Sequence, residues 1–220
     1  MARPIGFSAF LKLLELSDAP RKSEFKKKVG GGGGFQYWRP LHITAPKVIR
    51  PAADINLLKD EIDTLSSAHQ RQYNKNALVS FFDWTTGKAI EPGTTLPTVD
   101  VPFGNSGLLI RLKPTVTFKL DGVLFAANLW ATTKPALTIN TLSVGLLFCA
   151  SAYKAQGYQA HKHMIFDTIR NRPFVEEEIL PNSLLLLKDK VDAFKRDWDA
   201  LNPPSRPSPE SPTDQPDAPR

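Results

Sequence analysis

Apolar positions recur along the chain with two different periods. Phe7, Phe10, Leu11 and Leu14 follow an i, i+3, i+4, i+7 spacing, which puts four apolar side chains on one face of a short helix. Ser17, Asp18 and Pro20 end that pattern. Ile55, Leu58, Ile62, Leu65 and His69 repeat in steps of three and four, with Lys59, Asp60, Glu61 and Asp63 elsewhere around the turn, and predict one long helix from Ala52 into the low eighties. Gly87, Pro92, Gly93 and Pro97 predict a loop. From Gly107 the pattern becomes that of strands: Leu108 to Leu112, Thr115 to Leu120 and Val123 to Trp130. Asp121-Gly122 joins the last two runs and predicts a hairpin, because glycine readily takes the positive φ of a type I′ turn and aspartate tolerates it. Thr138 to Tyr153 reads as a largely buried helix, with Leu142, Leu146 and Cys149 or Ala150 on one face. Met164 to Ile169 follows as a strand, Asn171 to Pro173 as a turn and Phe174 to Glu177 as the hairpin mate. Leu184 to Leu201 closes the pattern as a helix, with Leu187, Val191, Phe194 and Trp198 inward.

These elements predict an α+β domain over residues 51–201, with a central, mainly antiparallel sheet flanked by helices. Residues 1–50 read as a basic N-terminal arm with a hinge at Gly30 to Gly34, since five consecutive glycines cannot sustain a helix or add side chains to a core. Residues 202–220 hold seven of the 19 prolines and no large apolar residue, the composition of a disordered Pro-rich tail. Pro204 to Pro207 and Pro209 to Pro212 match PxxP, a spacing that such proline density produces by itself.

Composition narrows the function classes. A chain of 220 residues, 41% hydrophobic, suits one medium domain with additions. The single cysteine, Cys149, excludes an intramolecular disulfide and any multi-cysteine metal site, and inside an apolar helix it reads as an inert buried thiol. No apolar run approaches the roughly 18 to 20 residues that span a bilayer, and the opening residues lack the basic start and cleavage site of a secretory signal, so the expected location is cytoplasmic. In residues 1–50, ten Lys or Arg stand against three acids, which exceeds the whole-chain net charge of +6 and leaves the rest near neutral. An anionic partner is therefore expected at the front of the chain.

Arg21, Lys22, Lys26, Lys27 and Lys28 can neutralise phosphates, while Tyr37 and Trp38, beside Arg39, can stack on unpaired bases. These eight residues form the expected nucleic-acid contact. The competing expectation is a protein-interaction or assembly module that docks through Phe7, Phe10, Leu11 and Leu14 with the aromatics Phe35, Tyr37 and Trp38. A membrane surface suits the same helix less well, because its polar face is small and not cationic. His161, His163 and Asp167 share one face of an extended strand and are the candidate metal ligands, without a fourth partner in view. His42 and His69 join no such set, and Glu176, Glu177 and Glu178 read as a solvated acidic edge. Neither a nucleophile elbow nor a phosphate-binding P-loop occurs. No catalytic residues and no cofactor are assigned.

The run from Val116 to Trp130 (VTFKLDGVLFAANLW), a following helix, and the run from His163 to Phe174 (HMIFDTIRNRPF) resemble in element order the core of RecB-like members of the PD-(D/E)XK nuclease superfamily. In that family a strand carries an acidic metal ligand and the next strand an acid-x-Lys pair. The resemblance implies Asp121 at the first acidic position. At the second, this chain has Ala126-Ala127-Asn128, and the nearest lysine is Lys134 beyond the strand. What it implies is a nuclease-like fold with a degenerate site. The combined expectation is a non-enzymatic or catalytically degenerate nucleic-acid-associated accessory protein.

Overall fold

A computed structural model describes residues 4–29 and 37–202, so the glycine run, Phe35 and residues 203–220 of the tail lie outside the described residues. Strand β1 (Ile5–Gly6) leads into helices α1 (Phe7–Glu15), α2 (Asp18–Val29), α3 (Arg39–Val48), α4 (Ile55–Asp63) and α5 (Ala68–Thr85). Five strands follow: β2 (Ile90–Pro92), β3 (Val99–Pro102), β4 (Leu109–Leu112), β5 (Val116–Leu120) and β6 (Val123–Trp130). Helix α6 (Ile139–Ala155), β7 (His161–Asp167), β8 (Arg172–Val175), a 3-10 turn (Glu176–Glu178) and α7 (Ser183–Leu201) complete the described chain.

The fold is α+β, with a five-stranded sheet in the order β2-β5-β6-β7-β8 and a smaller sheet in the order β1-β4-β3. The β5–β6 hairpin turns where the sequence predicts it, with positive φ at Asp121 (50°) and Gly122 (83°). Parallel pairing of β6 with β7, in register from Leu124 on His161 to Trp130 on Asp167, uses α6 as the crossover that a parallel pair requires. β6 is buried on both faces. Ala126 and Trp130 point into one core, Ala127 and Leu129 into the other, as the two-residue period of a strand dictates.

Helices α3, α4 and α5 cover one face of the large sheet through Leu41, Ala45, Leu58, Ile62, Leu78 and Phe81. α6 covers the other, and beyond it α1, the small sheet and α7 extend the same core. Here the arm expectation is corrected. Phe7, Phe10, Leu11 and Leu14 are all buried, and Phe10 packs its ring on Phe103 (4.8 Å), Phe148 (5.2 Å) and Phe194 (6.5 Å). The stripe is core surface and offers nothing to a partner. β1 confirms the attachment by pairing in parallel with β4, Ile5 on Ile110 and Gly6 on Arg111.

The single long helix is also corrected. Ser67 accepts a hydrogen bond from the Gln70 amide at 3.3 Å and starts α5 afresh, while Arg71 donates to the carbonyls of Leu65 (2.5 Å) and Ser66 (3.0 Å) that follow α4. Capping side chains at Thr64 to Ser67 outweigh the continuing apolar spacing. His69 consequently lies exposed rather than on the buried stripe. The expected loop between Gly87 and Pro97 contains β2 as a sheet edge on β5. Among the described residues no helix is long and apolar enough to cross a membrane.

Burial of α1 has a direct test. Phe10→Ala is expected to lower stability in urea unfolding by about 3–5 kcal/mol, the usual cost of emptying an aromatic core site, whereas a detachable arm would leave the midpoint unchanged.

Candidate functional site

Helix α3 begins without help from its own N-cap residue, since Trp38 makes no capping side-chain bond. The missing acceptor comes from α5. Asn74, fully buried, accepts from the Leu41 amide at 3.0 Å and donates to the carbonyls of Tyr37 (3.0 Å) and Gln70 (2.9 Å). Gln70 donates to the same Tyr37 carbonyl at 2.9 Å. The Tyr37 hydroxyl lies 2.7 Å from His69 Nδ1 and donates to the His69 carbonyl at 3.2 Å. Two buried amides and one histidine on α5 thus fix Tyr37 to Arg39, with the Tyr37 and Trp38 rings edge to face at 4.8 Å and 74°.

Facing this segment are the start of α1 and the end of β4. Pairing of β1 with β4 sets Gly6 beside Arg111, and the chain beyond β4 carries Lys113 and Thr115. A cleft of about 700 Å³ opens between the two walls. Tyr37, Trp38, Arg39, His42 and Ile43 line one side, and Gly6 to Ala9, Arg111, Lys113 and Thr115 the other, with Asn128 of β6 also exposed to it.

The charge of the cleft is one-sided. Among the described residues no Asp or Glu lines it. Arg111 is answered from outside by Asp100 in a bidentate pair, Nε to Oδ1 at 2.8 Å and Nη2 to Oδ2 at 2.7 Å, and these bonds hold the Asp100 carboxyl below its usual range. Arg39 and Lys113 are exposed and make no ion pair among the described residues. The first turn of α1 carries no acid and no side-chain cap, so its amide groups and the helix dipole add positive potential. His42 adds no charge. Its Nδ1 lies 3.0 Å from Thr115 Oγ1, and desolvation by the surrounding walls, then Lys113, push its pKa below the ordinary histidine value.

Three of the eight expected contact residues, Tyr37, Trp38 and Arg39, come together at this cleft. Arg21 does not. It is buried, donates from Nε to Asp197 Oδ2 at 2.7 Å and from Nη2 to Asp18 Oδ1 at 2.9 Å, and lies 5.6 Å from the Phe194 ring centre. Its charge is spent on joining α2 to α7, which corrects its assignment as a phosphate contact. Lys22, Lys26 and Lys27 are exposed on α2, and the Lys28 side chain lies outside the described residues. His42, Arg111, Lys113 and Asn128 were not among the expected contacts. The one hint was the two-residue spacing of Arg111 and Lys113, which puts both on one side of an extended chain.

The candidate metal set does not assemble. His161 and His163 are buried on one face of β7, but Asp167 stands four residues further along, about 13 Å at the rise of a strand. Asp167 instead accepts from the amides of Ile169 (2.9 Å) and Arg170 (3.1 Å) and anchors the turn into β8. Among the described residues no group of three or more His, Cys, Asp or Glu side chains is placed to hold a metal ion. Asp121 sits exposed at the hairpin tip, Lys134 is exposed beyond β6, and Ala126 and Ala127 are buried where the nuclease-like pattern has its acid-x-Lys pair.

His163 belongs to a different buried polar group. Its ring stacks on Tyr153 at 5.2 Å, its amide donates to Glu176 Oε1 at 2.6 Å, and its Nδ1 and that of His161 have no hydrogen-bond partner among the described residues. Glu176 is therefore not part of a solvated edge: burial raises its pKa. Burial, followed by His161, lowers His163 to about 4. Burial also pushes up the Cys149 thiol, keeping it protonated and unreactive.

No protein-family model matches the chain, and no curated protein matches it.

Two outcomes follow from these arrangements. Asn74→Ala strips the acceptor from Leu41 and the donors from Tyr37, so urea unfolding should show a loss of about 1–3 kcal/mol, with faster hydrogen exchange at the Leu41 amide. For His163 the unfolded chain takes up a proton near the ordinary value of 6.5, while the folded chain resists until about 4. Stability is complete above pH 6.5 and falls as the pH drops toward 4, by roughly 3 kcal/mol from this residue. Glu176, raised by burial, works in the opposite sense over part of that range. His163→Gln should flatten the decline in unfolding free energy between pH 6.5 and 4; an unchanged slope would refute the assignment.

Proposed function

We propose that this protein is a nucleic-acid-associated accessory protein that acts by binding, without catalysis of its own or with a degenerate catalytic site. One observation carries the reading: a single cleft combines an aromatic wall, Tyr37 and Trp38, with the cations Arg39 and Lys113, which have no ion-pair partner among the described residues, and no carboxylate among its described lining. Phosphates supply the matching charge and unpaired bases the matching faces. The exposed Lys22, Lys26 and Lys27 of α2 add to the positive field that would draw an anionic polymer in.

Fluorescence anisotropy of labelled single-stranded and double-stranded DNA and RNA with the full chain tests it. Binding should weaken steeply with salt, and loss of each cation in Arg39→Ala and Lys113→Ala should reduce the single-strand salt slope by about 0.7. Trp38→Ala should weaken single-strand binding by about 1–3 kcal/mol, with thermal unfolding recorded alongside because Trp38 also packs on the α3–α5 core. Failure of every nucleic acid to bind at about 50 mM salt, or binding indifferent to both Arg39 and Lys113, would sink the proposal. A shorter chain starting at Arg50 is not a usable control, since it would lack α1, α2 and α3 and with them part of both cores.

A further inference from the structure

The charges in the cleft can be counted. Asp100 neutralises Arg111 through its bidentate pair, and His42, which lies 3.0 Å from Thr115 Oγ1 and whose pKa desolvation lowers, contributes a neutral ring at about pH 7. Among the described residues, Arg39 and Lys113 have no acidic partner and remain as two uncompensated cations. A phosphate inside a strand carries one negative charge, whereas a terminal phosphate monoester carries about 1.5 to 2 at pH 7. The first turn of α1, without an acid or a side-chain cap, lines the same space and favours the more highly charged group.

Size and shape point the same way. About 700 Å³ falls inside the range of small-molecule sites, roughly 300–1,000 Å³. A base paired in a duplex reaches the floor of such a cleft only when it is extruded from the stack. Trp38, held by the clamp on α3 and braced edge-on by Tyr37, presents a fixed wall for one base, and the Asn128 amide offers both a donor and an acceptor to a base edge.

We infer that the cleft holds one unpaired nucleotide carrying a terminal phosphate monoester, its base against Trp38 and its phosphate between Arg39 and Lys113. This rests on the nucleic-acid reading above and narrows it to the ends of strands or to free nucleoside monophosphates, which share the same chemistry. Internal phosphodiesters meet the same cations with about half to two-thirds of the charge to offer.

The test compares short single strands of one sequence with a 5′-phosphate, a 3′-phosphate or hydroxyls at both ends, together with their duplexes. Anisotropy is read on the full chain, and adenosine monophosphate, uridine monophosphate, adenosine and inorganic phosphate serve as competitors. A strand phosphorylated at one of its ends should bind about tenfold tighter than its hydroxyl twin. Lys113→Ala should abolish that difference while the hydroxyl strand still binds, and Arg39→Ala should act in parallel. The monophosphates should compete and adenosine should not. Equal binding of phosphorylated and hydroxyl strands, or inorganic phosphate competing as well as adenosine monophosphate, overturns the inference and leaves the broader nucleic-acid reading standing. Monophosphates that bind and lose binding in Lys113→Ala, with no strand bound at all, uphold the cleft chemistry with a free nucleotide as its source and overturn that broader reading. Failure of strands and monophosphates alike overturns both.

Discussion

The arrangement depends on how closely α1 lies against α6. A Cβ placed at Gly145 would stand 2.5 Å from Leu11 Cδ2 and 3.4 Å from Ile165 Cδ1, so the two helices reach this separation because position 145 has no side chain. Once α1 is seated there, β1 is delivered to β4 and closes the small sheet on its parallel side. α2 is carried over α7, where Arg21 meets Asp197 with both side chains almost fully buried. Such a pair adds little net stability over apolar residues of the same shape, but neither partner tolerates loss of the other. It restricts which surface of α2 packs inward and leaves Lys22 and Lys26 on the outside.

A second constraint shapes the cleft from the opposite side. The α3 helix starts with aromatic and basic residues that cannot cap it, and α5 completes it with the amides of Asn74 and Gln70. A buried amide is costly unless each of its groups finds a partner, so the clamp holds in one geometry. The outcome is an aromatic wall at a set position opposite Arg111 and Lys113. The cleft is therefore a by-product of two packing solutions, α1 on α6 and α3 on α5, that meet at their N-terminal ends. Positive potential accumulates there because both helices point their amide ends toward it and no carboxylate intervenes among the described lining residues.

Local patterns were readable wherever a short-range rule dominated. The Asp121-Gly122 hairpin, the buried helix of Leu142 and Leu146, and the closing helix of Val191 and Phe194 appear as their spacing predicts. The break between α4 and α5 is not visible in the apolar spacing, which runs on across it; the capping residues Thr64 to Ser67 decide it. Attachment of the first helix is hidden from the sequence for a different reason. An amphipathic stripe shows that a face must be covered but not by what, and the five glycines beyond α2 suggested separation from the domain. The same ambiguity misled the assignment of Arg21, whose sequence neighbours are solvated lysines while its partner Asp197 lies 176 positions away.

Fold class, strand alternation and the uneven charge of the first fifty residues were present in the order of amino acids, because each arises from neighbours a few positions apart. Which basic residues remain free could not be read that way. Arg21 and Arg111 are neutralised by acids, while among the described residues Arg39 and Lys113 are not, and that division depends on which elements pack together. Tyr37, Trp38 and Arg39 were legible as a candidate contact from their types alone; their union with His42, Lys113 and Asn128 came from long-range packing. Sequence spacing reports faces and periods, and only tertiary contact brings faces from residues 6, 39, 113 and 128 around one space.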